Sequence, residues 1–390
     1  MKLAILFFDI PNLSGGGGAE RFFYDFFTDY NKTQGTNHEL FLITDDLNNI
    51  VDSGRESEQS NIIYTKNYKY FNFRFLNFIN RKNKYLLGNV INAFIVRGII
   101  KKYKIAKLVV PFYNPREYYF YKLFNYFNVQ LDYFIVDCRI PENYLLNSAP
   151  YYFYSQYGLF FKNIKFQNIH TWYSSVKEFI EKNKIIAHYN SIRTYNTRYT
   201  GVILDYNPGK KTDTIVFAAR MDEQKDPLFF LEAIKILYQN PVFSQEKWKV
   251  NIYGKGPLLE AVKNSIHLNQ LTNVFVLNSA NLEEVFVESR IFVSTQKYEN
   301  FPSLVISEAM AKGNIIIAKN VGQTHLLVRE GVNGFLCEEN NTGSLADAIL
   351  AATQLCDSES INMAKSSVSI MKTEHTLNNF IRQFDTKILN

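Results

Sequence analysis

Between residues 212 and 355, short apolar runs alternate with longer segments of helical periodicity, and this alternation restricts the fold more than any other feature. TIVFAA, KVNIY, NVFVL, RIFVS and NIIIA are each followed by a segment whose apolar residues recur with helical spacing. Strands and helices that alternate in this way form a parallel sheet with helices on both faces. This part of the chain is therefore predicted to be a doubly wound α/β domain.

The first half of the chain shows a weaker version of the same alternation. Its strand candidates are LAILFF, ELFLIT, KLVVPF and DYFIVD, whereas residues 45–105 fit poorly and are predicted to be an insertion or irregular helices. A length of 390 residues suits two domains, and the turn-rich LDYNPGKKTDT is the predicted linker. We expect domains at 1–203 and 204–370, followed by a helix at 371–390 that packs back on the first domain.

Cysteine usage and the apolar runs bear on the compartment. Cys138, Cys337 and Cys356 have no CxxC spacing, which argues against a disulfide framework or a zinc site. The opening MKLAILFFDI has a short apolar run and no small-residue cleavage site, so it is predicted to be a buried strand, not a signal peptide. No apolar stretch approaches the ~20 residues that span a bilayer. The chain is therefore expected to be cytoplasmic.

Residues 64–124 form a basic, aromatic-rich stretch in which thirteen lysines and arginines accompany one acid, Glu117. One explanation is A/T-rich coding together with a solvated basic surface. The other is an interfacial patch, in which cations bind anionic lipid and aromatic rings lie at headgroup depth. We favour the second, which would make the protein peripheral on the inner face of the cell membrane. No nucleic-acid partner is expected, because no RNA- or DNA-binding motif accompanies the patch.

Four features follow predicted strands at their carboxyl ends, where open α/β sheets bind ligands. They are SGGGGAER, ARMDEQKDP, YGKGP and KYENFPSLVISEAMAKG. The glycine run lets backbone approach an anion at a helix start, or is only a flexible turn, and it matches neither the GxGxxG nor the P-loop pattern. Arg220 and Lys225 would grip a diphosphate, or belong to an ordinary charged loop. Gly254 lies in a tight turn with or without a ligand.

Two acids flank the start of the helix predicted in KYENFPSLVISEAMAKG. Pro302 suits the first helical position, which places Glu299 in the preceding loop and Glu308 roughly 9 Å along the helix axis. Amides at the helix start can bind phosphate, and Glu308 could reach a ribose hydroxyl while Glu299 faces the other end of the ligand. This spacing suits an elongated sugar–diphosphate–nucleoside, although a solvated helix with ordinary acids would show the same letters.

The segments RMDEQKDP, IYGKGPL, YENFPSLVISEAMAKG and VGQTHLLVREGVNGF, in this order, resemble the donor domain of retaining GT-B glycosyltransferases of family GT4. SGGGGAER resembles that family's amino-terminal glycine loop. The resemblance implies two Rossmann-like domains that face each other across a cleft, with the donor bound by the second and the acceptor by the first. It implies no cofactor and no metal, and no Asp-x-Asp metal motif occurs.

The resemblance also implies roles for individual residues. Arg220, Lys225 and Glu299 would be catalytic, and the acceptor side would include Glu20, Asp137 and Arg139. The donor would be bound by Gly17, Gly18, Gly254, Asn300, Phe301, Pro302, Ser303, Leu304 and Glu308.

Two departures from the family pattern stand out. Glu299 and Glu308 are separated by eight residues, one more than the family's usual spacing, which makes the role of Glu308 firmer than that of Glu299. Many members carry a histidine after a middle strand of the first domain, whereas FIVDCRIPE here has none. None of the six histidines stands in a metal or catalytic spacing.

The sequence therefore predicts a retaining glycosyltransferase that moves a sugar from a nucleotide diphosphate sugar, UDP rather than GDP, onto a glycan or lipid-linked saccharide. Bacterial surface polysaccharide or glycoconjugate assembly is the expected setting. Two alternatives remain open. One is a helper or binding subunit that kept the fold and lost the reaction, and the other is a sugar-nucleotide epimerase of the same architecture.

Overall fold

The computed structural model describes residues 1–7, 18–33, 35–44, 61–65, 86–111, 117–136, 160–195, 199, 201–277, 281–298 and 301–388. The chain forms two compact units, Met1–Tyr195 with Leu377–Asn390 and Asn196–Thr376. These boundaries fall at 195/196 and 376/377, whereas the sequence placed them at 203/204 and 370/371. The predicted linker packs on the second unit, because the Leu204 N–H donates to the Ala311 carbonyl at 3.1 Å.

The first unit is built on a seven-stranded parallel sheet. Its strands are β1 Lys2–Phe7, β2 Glu39–Thr44, β3 Ile62–Tyr64, β4 Lys107–Val110, β5 Gln130–Ile135, β6 Asn168–Thr171 and β7 Ser191–Thr194. They lie in the order β3-β2-β1-β4-β5-β6-β7, and every neighbouring pair is parallel. Its helices are α1 Gly18–Tyr30, α2 Leu86–Tyr103, α3 Tyr118–Tyr126, α4 Ser174–Asn183 and, from the far end of the chain, α11 Leu377–Lys387.

Aromatic packing joins α1 and α11 to each other within the first unit. Phe26 of α1 lies edge-on to Phe380 and Phe384 of α11, with ring centroids 5.2 and 5.0 Å apart. All three rings are fully buried, and burial of each such side chain contributes about 1.5–3 kcal/mol. The Asp385 carboxylate accepts hydrogen bonds from the Tyr30 hydroxyl and the Asn37 side-chain amide. Helix α11 is therefore an integral part of the first core.

The second unit is built on a six-stranded parallel sheet. Its strands are β8 Thr212–Ala218, β9 Lys249–Tyr253, β10 Val274–Leu277, β11 Ser289–Ser294, β12 Ile315–Lys319 and β13 Gly334–Cys337. Its helices are α5 Pro227–Gln239, α6 Leu259–Leu268, α7 Leu282–Glu288, α8 Leu304–Ala311, α9 Thr342–Gln354 and α10 Asp357–Glu374. The strand order is β10-β9-β8-β11-β12-β13, which is the dinucleotide-fold order 3-2-1-4-5-6.

Two helices differ from the sequence expectation. Helix α2 is a regular helix of 18 residues at the end of a segment predicted to be an insertion or irregular helices. Helix α10 was not predicted at all, because serines and an alanine share its buried face with larger apolar side chains and weaken the apolar periodicity. Its Ser367 is fully buried and donates to the Asn314 carbonyl at 2.8 Å. Among the described residues, no helix combines the length and hydropathy needed to cross a bilayer.

Candidate active site

The second sheet reverses its winding between β8 and β11, which lie side by side. Connections on the two sides of such a point run to opposite faces of the sheet, and this leaves a crevice at the carboxyl ends of the two strands. The loop of residues 219–226 follows β8, and the loop that begins at Thr295 follows β11. The predicted diphosphate-binding segment and the acidic segment therefore start on either side of the same crevice.

Asp222 organises both cations of the first loop. Its carboxylate pairs with the Arg220 guanidinium and accepts a hydrogen bond from the Lys225 backbone N–H at 3.0 Å. Burial alone would raise the pKa of the Asp222 carboxyl, but the Lys225 amide and the Arg220 guanidinium outweigh burial and lower it. Asp222 therefore stays ionised, while the Arg220 side chain is 72% exposed at the mouth of the crevice. The sequence reasoning named the two cations and missed the acid between them.

The loop after β11 holds the Lys225 backbone in place. The Thr295 hydroxyl contacts the carbonyl oxygens of Lys225 and Asp226 at 2.8 and 3.0 Å, and the Lys297 N–H donates to the Gln224 carbonyl at 2.9 Å. The Lys225 ammonium donates to the side-chain oxygen of Gln296. These contacts fix the direction of the Lys225 side chain from both ends, and no motif in the sequence signalled them.

Asp226 precedes α5, but its side chain does not cap the helix. It is the residue before the helix and has a left-handed φ of 53°, with no side-chain capping hydrogen bond. Its carboxylate instead accepts from the Lys319 ammonium at 2.9 Å, and that ammonium lies 3.5 Å from the Phe229 ring centroid. Asp226 therefore pairs with the buried ammonium of Lys319, at the end of β12, instead of with the first amides of α5. Pro227 occupies the first helical position, where proline is favoured.

Gly254 belongs to the turn after β9, which packs against the loop of residues 219–226. Its φ is 147°, and a Cβ there would lie 1.8 Å from the Ala219 carbonyl oxygen. A Cβ at Gly256 would lie 2.4 Å from the Met221 carbonyl oxygen. The two glycines therefore let the β9–α6 turn approach the backbone on both sides of Arg220. This contact gives Gly254 a structural role, and its binding to the donor stays a prediction.

The acidic helix begins later than predicted. Ser303 is the N-cap and its side chain accepts from the Ile306 N–H at 3.4 Å, so α8 starts at Leu304 and Pro302 lies outside it. If Pro302 were the first helical residue, Phe301 would be the N-cap, and its side chain has no oxygen to accept a hydrogen bond from the first free amides of the helix. The Ser303 hydroxyl supplies that acceptor. Glu308 is then about one turn, ~6 Å, into the helix. Phe301 is 2% exposed, so its side chain belongs to the core.

Glu308 lies close to a tyrosine that the sequence did not single out. Glu308 is half-buried. Burial, followed by the charges of Glu308 and Glu283, raises the pKa of the Tyr199 phenol to about 12. Glu299 and Asn300, which the sequence placed beside the sugar, lie outside the described residues, as do Gly17, Asp137 and Arg139. Gly18 is the first residue of α1 and Glu20 lies in its first turn.

A histidine does occupy the middle of the first unit, although its sequence spacing gave no sign of it. His170 is fully buried and joins the Asp132 carboxylate at 2.9 Å to the Tyr195 hydroxyl at 2.7 Å. Burial, the largest cause, lowers the pKa of His170, and the Lys107 ammonium contacts Asp132 at 3.1 Å. This chain of side chains lies inside the sheet core and is structural. Within the described ranges, no group of three or more His, Cys, Asp or Glu side chains is arranged to hold a metal.

Sequence comparison identifies relatives of the second unit. Residues 212–354 match the family model described as "Glycosyl transferases group 1". The UDP-Gal:alpha-D-GlcNAc-diphosphoundecaprenol alpha-1,3-galactosyltransferase of Escherichia coli is 29% identical over 150 residues, 37% of this chain and 38% of that protein. The N-acetyl-alpha-D-glucosaminyl L-malate synthase of Bacillus anthracis is 28% identical over 144 residues, 35% and 36% of the two chains. The matches thus span little more than a third of these relatives.

Solved structures match nearly the whole chain. A glycosyltransferase from Rickettsia africae has a TM-score of 0.64 at 18% identity, over 98% of this chain and 96% of that one. Anabaena HepE in complex with UDP has a TM-score of 0.68 at 15% identity, over 100% and 99%. At such identities the likeness establishes the fold. The chain has the GT-B glycosyltransferase fold, as predicted. Residues 212–354 of its second unit match the glycosyl transferases group 1 family model, which agrees with the resemblance seen in the motifs.

Proposed function

We propose that this protein is a retaining glycosyltransferase of the GT4 type that transfers a sugar from a UDP-sugar to a glycan or lipid-linked saccharide. The observation that carries the proposal is the pair of cations, Arg220 and Lys225, held by one carboxylate beside the β8/β11 crevice. A donor that leaves as a diphosphate develops negative charge there, and prearranged cations stabilise that charge. Arg220 also has the planar geometry that suits phosphate oxygens.

The relatives support the choice of donor and acceptor. The printed name of the Escherichia coli relative specifies UDP-Gal as donor and a diphosphoundecaprenol-linked sugar as acceptor, and HepE was solved with UDP. By analogy, we propose UDP rather than GDP, and an acceptor in bacterial surface polysaccharide or glycoconjugate assembly. Glu308 would hold the ribose, and Glu299 with the amides that precede and begin α8 would contact the sugar and phosphates.

Retention would follow from attack on the face that the diphosphate leaves. The acceptor hydroxyl forms the new bond to the anomeric carbon as the carbon–oxygen bond to the diphosphate breaks. Its proton passes to the departing phosphate oxygen, so no side-chain base is needed and the absence of a histidine from FIVDCRIPE is not an obstacle. Arg220 and Lys225 would stabilise the diphosphate throughout this step.

The direct test compares the turnover of a UDP-sugar by the wild type with its turnover by the Arg220→Ala and Lys225→Ala variants. We expect each variant to lose about 100-fold or more in kcat, the loss typical of removing one charge-stabilising donor, with melting temperatures close to the wild type. Lys263→Ala on α6, whose side chain is exposed and pairs only within its own helix turn, is the matched control.

Product analysis separates the alternatives. Turnover near wild type in both variants contradicts the proposal, and so does an epimerised nucleotide sugar as sole product. A purified chain that binds UDP but neither hydrolyses nor transfers the sugar would identify a helper subunit instead. A UDP-induced rise in melting temperature larger than that with GDP would support the choice of base, since a ligand that binds the folded state stabilises it.

We also propose that the protein works on the cytoplasmic side of the cell as a peripheral membrane protein. The basic, aromatic-rich stretch at 64–124 motivates this location.

A further inference from the structure

Helix α2 presents an apolar stripe to solvent. Leu87 is 41% exposed and Phe94 is 53% exposed, and Ile91 lies half-buried between them at helical spacing. The outward face of a helix on a globular protein is normally polar. The stripe becomes polar towards the end of the helix, at Arg97 and at Lys101 on the last turn.

Helix α3 extends this stripe into a cluster of aromatic rings, of which Phe94 and Tyr126 are exposed and Phe127 is half-buried. The Phe94 ring lies 5.1 Å from that of Phe127, which follows α3, and Tyr126 lies 5.9 Å from Phe127 on the other side. Tyr126 is 81% exposed, the highest value among the large apolar side chains of the described chain. We call Phe94, Tyr126 and Phe127 the aromatic ridge.

The surroundings of the aromatic ridge are positively charged. The Arg97 guanidinium lies 4.2 Å from the Phe127 ring centroid, and Lys101, Lys102 and Lys122 are exposed on the same two helices. In residues 86–111 and 117–136 the acids are Glu117, which accepts a hydrogen bond from Tyr121, and Asp132, which is fully buried. One cation thus contacts the rings, further exposed cations lie on the same two helices, and the acids of these two segments are hydrogen-bonded or buried.

We propose that the aromatic ridge and the lysines and arginine around it bind a lipid surface that carries anionic headgroups. Tyrosine and phenylalanine rings lie favourably at the boundary between headgroups and acyl chains. Arginine and lysine side chains reach headgroup phosphates from that depth. The combination of rings and cations on one surface matches the chemistry of a bilayer interface on both counts.

Other occupants fit less well. In a symmetric dimer the same patch would face itself, and its cations would repel one another across the interface. A soluble polyanion would use the cations but would leave the aromatic ridge in water. The inference does not depend on the reaction, because none of these residues belongs to the proposed donor site.

Cosedimentation of the full chain with vesicles tests the proposal. We expect wild-type protein to bind phosphatidylcholine vesicles that contain phosphatidylglycerol, to bind pure phosphatidylcholine much more weakly, and to be released by salt. A charge variant, Lys101→Gln with Lys102→Gln, should weaken binding about 30-fold at low salt. A ring variant, Phe94→Ser with Tyr126→Ser, should weaken it further, and the remaining binding should be more sensitive to salt.

Matched substitutions in the second unit serve as controls. Val242→Ser with Leu268→Ser removes apolar side chains that are 64% and 78% exposed, and Lys235→Gln with Lys263→Gln removes exposed cations. Neither pair should change vesicle binding. Melting temperatures and the UDP-induced shift should match the wild type in all four variants, which separates this test from that of the proposed reaction.

Several outcomes would overturn the proposal. Wild-type protein that ignores anionic vesicles would do so, as would ring and charge variants that bind like their controls. Equal binding to neutral vesicles would remove the anionic requirement. A dimer lost in the ring variant, without vesicle binding, would identify a second copy as the occupant, and capture by dextran sulfate that is independent of the rings would identify a soluble polyanion.

Discussion

Asp222 illustrates how much of the candidate site depends on single residues that no motif marks. Its carboxylate holds the Arg220 guanidinium and the Lys225 amide together, so both cations are positioned before any ligand arrives. The sequence supplied the two cations at a meaningful spacing. The acid between them could not be ranked, because an acid in a charged loop is usually only a solvated group. Its role follows from burial, which a sequence does not state.

Replacement of Asp222 by alanine should weaken donor binding. The Lys225 amide loses its acceptor and Arg220 loses its ion-pair partner. The KM for the UDP-sugar should therefore rise about 10- to 100-fold, since one hydrogen bond to a charged group contributes roughly 1.5–3 kcal/mol. Asp222→Asn keeps one acceptor oxygen and should lose less. Initial-rate kinetics measure both, with the exposed neighbour Glu223→Ala as control. Identical KM values for Asp222→Ala and Glu223→Ala would rule out the organising role.

Arg220 and Lys225 also bear on the proposed independence from metal ions. If these two side chains supply the positive charge that the leaving diphosphate needs, removal of divalent ions should leave turnover unchanged. Dialysis against EDTA followed by a transfer assay measures this. Loss of turnover that Mg²⁺ or Mn²⁺ restores would show that the cations are insufficient and would weaken the mechanism.

At the level of helices and strands, the second unit was predicted well because its signals are local. Each strand from β8 to β13 is a short apolar run, and parallel sheets buried on both faces favour such runs. The exceptions have physical causes. Helix α8 is capped by Ser303, which directly follows Pro302, a residue that also suits a helix start. Helix α10 buries serine and alanine beside methionine, valine and isoleucine, and the buried serines weaken its apolar periodicity in the sequence.

Packing between loops makes Gly254 a sensitive position. Gly254→Ala should lower the free energy of unfolding by about 2 kcal/mol or more, because the new methyl group meets the Ala219 carbonyl at 1.8 Å in a backbone conformation that only glycine adopts readily. Gly98→Ala in α2 is the matched control. That site has open space around it, and alanine should be neutral or stabilise the helix by about 0.5–1 kcal/mol. Urea denaturation distinguishes the two, and equal stability of both variants would contradict the argument.

Lys211 ties the ends of two helices together. Its ammonium donates to the carbonyl oxygens of Phe286, Ser289 and Lys312 at 2.8–2.9 Å. Lys211→Met removes these donors and should cost about 2 kcal/mol of unfolding free energy at pH 7, since buried carbonyls lose their partners. Lys210→Met is the control, because that neighbouring side chain is exposed.

The same lysine predicts a pH dependence. Burial, followed by the nearby Arg290 charge, lowers the pKa of Lys211 from 10.5 to about 7. Between pH 7 and 10 the unfolded chain therefore binds more protons than the folded chain, so wild-type stability rises with pH across this range. The stability difference between wild type and Lys211→Met should grow by about 2 kcal/mol at most from pH 7 to pH 9. A difference that is flat or shrinks over that range would refute the assignment.

On the scale of the whole molecule, both sheets have the strand order 3-2-1-4-5-6, and the first sheet adds a seventh strand. Only the second unit shows clear strand and helix periodicity in its sequence. In the first unit, aromatic residues obscure the strand and helix periods, and the decisive contacts join distant residues. The chain of Lys107, Asp132, His170 and Tyr195 joins four strand regions spread over 89 positions of the sequence. No local pattern can reveal such a contact, because it exists only once the strands are in register.

Removal of α11 should unfold the first unit and spare the second. A chain that stops after Thr376 lacks Phe380 and Phe384, and loss of a buried phenylalanine costs about 3–5 kcal/mol, which together approach the whole stability of a domain. Hydrogen exchange should show lost protection in β1–β7 and retained protection in β8–β13. A chain that stops after Ile388 is the control. Equal protection of β1–β7 in the two truncations would show that α11 is dispensable.

The path of the chain has a consequence for how the protein is made. The first unit consists of two pieces, and the entire second unit lies between them in the sequence. A ribosome therefore delivers Phe380 and Phe384 only after residues 196–376 have been synthesised. The unit whose synthesis begins first is the last to be completed. Until then the rings of Phe22, Phe26 and Trp172 lack the partners that cover them, so the nascent chain carries an open apolar surface that chaperones can bind.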